Sequence, residues 1–195
     1  MNLSKLVIAS NNKKKRAEIE QILAGLNIEV VPASETTFVD VIEDAPDFQG
    51  NAKKKADAFM LANQCAALAD DSGLCVDALD GAPGVYSARF AGEHATDADN
   101  NAKLLHDLEG AEDRSAHFMC ALHLSTPNHK HITAEGRVEG LIIEQETGDT
   151  GFGYDPLFFC PELGKTFALA SAKEKASVSH RGRALRALQQ KLSCP

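Results

Sequence analysis

Two periods of apolar residues run along this chain, one of two residues and one of about 3.6, and they alternate. Leu6 to Ala9 is a short, fully apolar run that predicts a buried strand. It passes through Ser10-Asn11-Asn12 into a helical pattern with Ile19, Ile22, Leu23 and Leu26 on one face, and Ser10 or Asn12 can cap that helix. Ile28 to Val31 predicts a second strand. Residues 33–47 carry Glu35, Asp40, Glu43, Asp44 and Asp47 without a helical stripe and predict a loop. A second helix follows, with Phe48, Ala52, Ala56 and Phe59 on one side and Lys53 to Lys55 largely on the other. Cys65 to Ala69 predicts a strand ending at Asp70-Asp71-Ser72-Gly73, Leu74 to Leu79 continues extended, and Gly81-Ala82-Pro83-Gly84 predicts a turn.

Thr96, with Asp99 three residues on, starts a third helix whose stripe is Leu104, Leu105 and Leu108. Ala116, Phe118, Cys120, Leu122 and Leu124 alternate with His117, Met119, Ala121 and His123, the period of a long, half-buried, central strand. Ile132 to Ala134 and Val138 to Ile143 add strands around Gly136 and Gly140. Gly151 to Pro156 predicts a loop before a strand at Leu157 to Phe159. A last helix runs from about Ser179, with Leu185, Leu188 and Leu192 inward. Strands and helices interleave, but residues 115–143 read as hairpins, so the expected fold is α/β with a mixed sheet.

The length of 195 residues and hydrophobic fraction of 44% suit one domain over 1–195, or one domain with two lobes around a cleft. No apolar run approaches a membrane span, and Met1 to Leu6 does not open a signal peptide. The five cysteines are odd in number and lack C-x-x-C spacing, which suits a reducing cytoplasmic setting. Asn2-Leu3-Ser4 is then a chance glycosylation pattern. The net charge of −8 opposes binding to nucleic acid or an anionic membrane. Within this acidic chain, more than half of the 20 Lys and Arg fall in three stretches: Lys13 to Arg16, Lys53 to Lys55, and Lys173, Lys175, Arg181, Arg183 and Arg186. Local basic loops of this kind suit a compact polyanion such as a nucleotide phosphate chain.

Three constellations could carry that chemistry. A strand, then Ser10-Asn11-Asn12-Lys13-Lys14-Lys15, then a helix offers hydroxyl, amide, ammonium and helix N–H groups to phosphate, or is simply a capped surface helix. It is not a P-loop, because Phe159 stands where Gly164-Lys165-Thr166 would need the first glycine. Asp70-Asp71-Ser72-Gly73 is either a turn or a site for a hard cation. Strand alternation sends the two carboxylates to opposite faces, so one of them is expected at the cleft. Gly151 to Pro156 with Lys175, Ser179, His180 and Arg181 exposes Phe152 and Tyr154 for purine stacking, or else Phe152 is core and His180 surface. The cations His180 and Arg181 at a helix start call for a compensating anion. The other histidines suggest no metal cluster, since 117 and 123 share a strand and 129 and 131 flank a loop.

In order and at matching spacing, Ser10-x-Asn12-x-x-Lys15-x-x-Glu18, Phe48-x-x-Asn51-Ala52-x-x-Lys55-Ala56, Leu68 to Leu74 with Gly81 to Arg89, Gly151 to Pro156, Glu174-Lys175 and Ser179 to Leu185 span nearly the whole chain. This ordered set resembles the inosine triphosphate pyrophosphatases, the Ham1-like non-canonical purine NTP pyrophosphatases. The resemblance implies an elongated α/β fold with two lobes flanking a cleft, usually a homodimer, and Mg²⁺-dependent hydrolysis of ITP, dITP and XTP to monophosphate and pyrophosphate. It implies that Asp71 is the catalytic acidic residue and a metal ligand, with Glu43 as a second metal ligand. Ser10, Asn11, Asn12, Lys13, Lys14 and Lys15 match the phosphate-binding segment. Ser72, Phe152, Gly153, Tyr154, Asp155, Lys175, His180 and Arg181 match substrate-binding positions, with Lys175, His180 and Arg181 as donors to a 6-oxo purine.

Two positions depart from the pattern. Gly50 stands where the family usually has Glu before Asn-Ala, and Ala168-Leu169 where it tends to have Ala-Glu. Each removes a carboxylate, which leaves open a non-catalytic nucleotide-binding protein on the same scaffold.

Overall fold

Among the described residues, seven strands form one sheet in the order Glu29–Val30, Lys5–Ile8, Ala66–Val76, Ser115–Ser125, His131–Ile142, Phe158–Cys160 and Lys165–Thr166, accompanied by five α-helices. The structure is a computed structural model and describes residues 5–24 and 28–193. Leu26, Cys194 and the Asn2-Leu3-Ser4 pattern lie outside these residues. The chain divides into two compact units. The first contains the described residues through Asp71, residues 120–136, and the described residues from Arg181; the second contains residues 72–119 and 137–180.

In the first unit, β1 (Lys5–Ile8) pairs in parallel with both β2 (Glu29–Val30) and the start of β3 (Ala66–Val76). Period-two alternation sorts these strands' side chains onto two faces. Leu6, Ile8, Ala66 and Leu68 pack with Ile19 and Leu23 of α1 (Lys13–Leu23) and with Ala184, Leu185 and Leu188 of α5 (His180–Ser193). Val7, Ala9, Ala67 and Ala69 pack instead with Ala56, Phe59 and Met60 of α2 (Phe48–Asn63). Alanines on both α2 and β3 let the helix approach that face closely. Asp47 caps α2, its Oδ1 accepting the Gly50 N–H at 2.7 Å.

The second unit has its own core. Leu74 and Val76 of β3 pack with Leu104 and Leu108 of α3 (Asp97–Asp107), Val138 and Ile142 of β5 (His131–Ile142), and Phe158, Cys160 and Phe167. Thr96 and Asp99 form the expected capping box on α3. Here β5 pairs antiparallel with β6 (Phe158–Cys160), and β6 with β7 (Lys165–Thr166). The short helix α4 (Ala172–Val178) is capped by Ser171.

Three expectations are corrected. The strand expected to stop at Ala69 instead runs unbroken from Ala66 to Val76, through both aspartates. No turn is needed there, because each carboxylate finds cations on its own side of the strand. The two strands expected between 132 and 143 are one strand with strict in–out alternation. Its Gly140 is required for packing, since a Cβ there would lie 2.4 Å from the Phe158 ring and 2.6 Å from the Phe159 carbonyl oxygen. Finally, β4 (Ser115–Ser125) alternates only in its first half and is buried on both faces beyond Cys120, as a strand fourth of seven requires. No helix among the described residues is long and apolar enough to cross a membrane.

Candidate functional site

The alternation of β3 separates the two adjacent aspartates, as expected. Asp70 follows Ala66 and Leu68 toward α1 and α5. Its Oδ2 accepts from Arg181 Nη2 at 2.9 Å and Nε at 3.2 Å, and lies 3.5 Å from Lys15 Nζ. Arg181 Nη1 also binds the Glu18 carboxylate. Burial alone would raise the Asp70 pKa, but Lys15, Arg181 and Lys55 together hold it well below the usual carboxylate range. Asp70 is therefore a fixed negative charge and not a proton carrier.

Asp71 follows Ala67 and Ala69 toward α2. Its Oδ2 accepts from Asn51 Nδ2 at 3.1 Å and its Oδ1 from Lys55 Nζ at 3.2 Å, while the same ammonium donates to Glu43 Oε2 at 2.7 Å. Asn51 Oδ1 accepts the Ala45 N–H at 2.9 Å, which pins the loop carrying Glu43 to the helix. Burial pushes the Asp71 pKa above its ordinary value, against the pull of Lys55 and Lys15. Burial would lower Lys55, but Asp71, Asp70 and Glu43 outweigh it and raise its pKa, so the ammonium stays charged. Two adjacent residues thus have opposite proton chemistry, and only Asp71 is shifted toward the range where a carboxylate exchanges protons near neutrality.

The phosphate-binding segment expected at Ser10 to Lys15 is largely self-capped. Asn12 Oδ1 accepts from the N–H groups of Lys14 at 2.9 Å and Lys15 at 3.1 Å, and Ser10 Oγ accepts from Asn12 N–H at 3.3 Å. Asn11, Lys13 and Lys14 are exposed, and Lys15 is half-buried beside Asp70. The basic stretches are not free patches. Arg16 is buried and braces its own unit, with Nη2 on the Val31 carbonyl at 2.5 Å and Nε on Glu20 at 2.8 Å. Lys53 pairs with Asp57, and Lys54 with Asp44.

The remaining predicted residues belong to the second unit. Ser72 is half-buried on β3. Asp155 Oδ2 accepts the Phe152 N–H at 2.9 Å and Lys175 Nζ at 2.7 Å, and that ammonium lies 4.7 Å over the Phe152 ring. Gly151 has a φ of +80°, and a Cβ there would meet Asp155 Oδ2 at 2.2 Å, so the loop closes on its carboxylate only with glycine. Gly153 donates its N–H to Asp97 Oδ2 at 2.8 Å. Phe152 is half-buried. Tyr154, expected at the surface, is 4% exposed, and its hydroxyl donates to the Ser87 carbonyl at 2.9 Å. The ring's apolar area drives it into the core of this unit, and that carbonyl satisfies the hydroxyl. His180 is also buried rather than exposed, stacked on Phe118 at 4.7 Å between centroids.

The anion that Arg181 was expected to need is Asp70 with Glu18, which accept from its Nε, Nη2 and Nη1. The reading of the histidines is corrected too. His123 Nε2 lies 3.2 Å from His131 Nδ1, because the loop after β4 brings the start of β5 back alongside it. Burial lowers the His123 pKa. Asn51 and Lys55, named from sequence only within a family motif and, for Lys55, a basic stretch, are i,i+4 on α2, a spacing that marks a shared face.

The hard oxygens of Asp71 and Glu43, gathered on one ammonium, are of the type that binds Mg²⁺. Gly50 adds no third carboxylate. A Cβ there would lie 2.7 Å from Ala45 Cβ, so a side chain at this position displaces the Glu43 loop. Leu169 is 51% exposed.

The sequence profile of the Ham1 family matches residues 6–191. A dITP/XTP pyrophosphatase of Clostridium perfringens is 46% identical over 199 residues, covering 97% of this chain and 98% of that protein. One from Desulfotalea psychrophila is 50% identical over 181 residues, covering 92% and 81%. Among solved structures, a HAM1 protein from Coxiella burnetii superposes with a TM-score of 0.88 at 40% identity, over 98% of this chain and 99% of that one.

Proposed function

The chain belongs to the Ham1 family, and on that premise we propose that it is a nucleoside triphosphate pyrophosphatase. It hydrolyses the non-canonical purine nucleotides dITP, ITP and XTP to the monophosphate and pyrophosphate. The observation that carries this reading is the group Asp71, Lys55, Glu43 and Asn51, because it holds a buried carboxylate of raised pKa in a fixed orientation. Relatives named dITP/XTP pyrophosphatase support the substrate class.

Asp71 and Glu43 would hold Mg²⁺, which when bound neutralises charge on the phosphate oxygens. Asp71 accepts the proton of the attacking water, and Asn51 and Lys55 keep its two oxygens from rotating. Lys15 supplies positive charge to the phosphate chain, with Ser10, Asn11, Asn12, Lys13 and Lys14 around it. Asp70 and Arg181 position Lys15 and take no proton. In the second unit, Phe152 offers a stacking face. Lys175, Gly153, Asp155 and His180 are assigned to base recognition, with Ser72 at the phosphates.

A 6-oxo purine presents an acceptor where adenine presents an amino donor. A donor such as Lys175 facing the adenine amino group leaves a mismatch of roughly 1–3 kcal/mol per unsatisfied group, so ATP should be turned over at least about tenfold more slowly than ITP. A panel of dITP, XTP, ITP and ATP, with and without Mg²⁺ and read by separate phosphate and pyrophosphate assays, tests the reaction. Release of orthophosphate alone, or no turnover, removes the proposal. Lys175→Met should narrow the ITP-to-ATP ratio of kcat/KM; an equal loss on both means Lys175 only supports the loop. The departures at Gly50 and Leu169 favour a second reading, a nucleotide-binding protein without turnover. In that case ITP raises the melting temperature yet stays intact with Mg²⁺.

A homodimer and a cytoplasmic location are part of this proposal. Tyr86 is 59% exposed beside the Gly81 to Gly84 turn, with the Arg89 guanidinium 5.2 Å over its ring, an aromatic surface suited to a second copy. Light scattering should give a dimer mass at micromolar concentration, and Tyr86→Glu should shift it toward monomer.

A further inference from the structure

We propose a second metal site, of zinc type, in the first unit, formed by Asp57, His123 and His131. These residues come from three elements: Asp57 from α2, His123 from β4 and His131 from the first position of β5. One ligand atom from each lies within 4.8 Å of the other two. His123 Nε2 and His131 Nδ1 are 3.2 Å apart, and Asp57 Oδ1 is 3.9 Å from His131 Nδ1. Zn²⁺ with bonds near 2.0–2.1 Å in a tetrahedron needs ligand atoms about 3.3 Å apart. The two imidazole nitrogens already meet that edge, and the carboxylate needs only a small closure. Two imidazoles and one carboxylate form a borderline nitrogen–oxygen set, which suits Zn²⁺ and not the all-oxygen preference of Mg²⁺.

The surroundings are arranged as an outer shell. Ser125, two residues beyond His123 on the same face of β4, donates its hydroxyl to Asp57 Oδ1 at 2.5 Å and fixes that oxygen. Lys53 takes the other oxygen, Oδ2, at 2.5 Å, and the same Ser125 hydroxyl lies 3.3 Å from His131 Nδ1, linking Asp57 to that histidine. Behind His123, the Gln49 amide nitrogen is 3.1 Å from Nδ1 and donates to the Leu122 carbonyl at 3.4 Å, so the side chain backs the imidazole from α2. Gln49, Lys53 and Asp57 repeat every four residues along one face of α2, whereas Asn51 and Lys55 serve Asp71 from another.

His123 is 4% exposed, but the side chains of His131 and Asp57 are 39% and 29% exposed. The site therefore has a buried anchor, an open rim for entry, and a fourth position for water. A metal bound here ties α2 to β4 and β5, a structural role that none of the proposed catalytic groups shares.

The test uses untagged full-length protein stripped of metal by chelation. It is titrated with Zn²⁺ against a chromophoric competitor, and in parallel with Co²⁺ followed by its visible absorption. The expected result is one Zn²⁺ per chain, visible Co²⁺ bands of four- or five-coordinate type, and a melting temperature raised by about 5 °C or more at a hundredfold excess over Kd. His131→Ala, at the open rim, should weaken zinc binding at least tenfold while leaving the metal-free melting temperature within about 2 °C. Asp57→Asn should weaken it too, and Asp71→Asn should leave it unchanged. No zinc binding, binding that survives His131→Ala, or binding lost in Asp71→Asn overturns the assignment. Because the readout is metal affinity, failure of this proposal and failure of the hydrolase reading are separate results.

Discussion

Asp71→Asn should lower kcat on dITP by about 10²–10⁴-fold, the range expected for loss of a positioned proton acceptor. Its melting temperature should stay within a few degrees of the parent, because an amide fills the same volume and Lys55 retains Glu43 at 2.7 Å. The pH profile carries a second readout. Burial raises the Asp71 pKa in the folded protein, so the group is protonated at higher pH than an ordinary carboxylate. Protons should therefore compete with Mg²⁺ at Asp71 more effectively than at an ordinary carboxylate, and at limiting Mg²⁺ the activity of the parent should fall on the acid side. The residual activity of Asp71→Asn should lack that limb. A variant that loses activity and folding together would show that Asp71 is a structural group. The neighbouring Asp70 provides the contrast, since its charge is locked by Arg181 and Lys15 and cannot give an acid limb.

The largest expected stability effect belongs to Arg181→Met. Arg181 is 2% exposed and supplies two hydrogen bonds to the equally buried Asp70. Removing one partner of a buried pair costs about 3–5 kcal/mol. Lys15, still 3.5 Å from Asp70 Oδ2, holds the loss to the lower end of that range, on the order of a 10 °C fall in melting temperature for a chain of this size. The sign with pH follows from the direction of the shift. The Asp70 pKa is lower folded than unfolded, so its contribution is present above the unfolded value of about 3.9 and is lost as pH falls below it. In Arg181→Met the folded pKa moves back up, and the acid-side loss of stability should shrink. The double variant Asp70→Asn with Arg181→Met should recover part of the loss, as coupled partners do. Normalised to folded protein, turnover of ITP and ATP should fall by one common factor, because the guanidinium donors are held by carboxylates. A loss confined to ITP would restore Arg181 as a base-reading group.

Much of this was legible in the sequence because it is periodic or local. The apolar stripes marked α1, α2, α3 and α5. Thr96 and Asp99 showed a helix start, and the alternation of β3 placed Asp70 and Asp71 on opposite faces before any partner was known. What escaped were pairings that depend on where distant segments come to rest. Arg181 and Asp70 are 111 residues apart, and nothing in either segment names the other. Glu43 lies in an acidic loop with no pattern, and the Asn51 bond to Ala45 N–H and the Lys55 ammonium settle where it sits. Tyr154 and His180 looked exposed because glycines and charges surround them in the chain, yet the packing of the second unit buries both.

The sequence by itself determined the elements, the mixed α/β class and the motifs of the Ham1 family, because hydrophobic period, capping and motif spacing all act within a few residues. Only the tertiary structure decided what each charged side chain does. Asp71 has its pKa raised and Asp70 lowered although they are adjacent, because β3 sends one to the α2 face with Lys55 and the other to the α1 and α5 face with Arg181. The same holds for Asp57, His123 and His131, which are scattered in the chain and gathered by the fold. Proton affinity and metal affinity are set by burial and by the charges within a few ångströms, and those neighbours exist only once the sheet and its helices have packed.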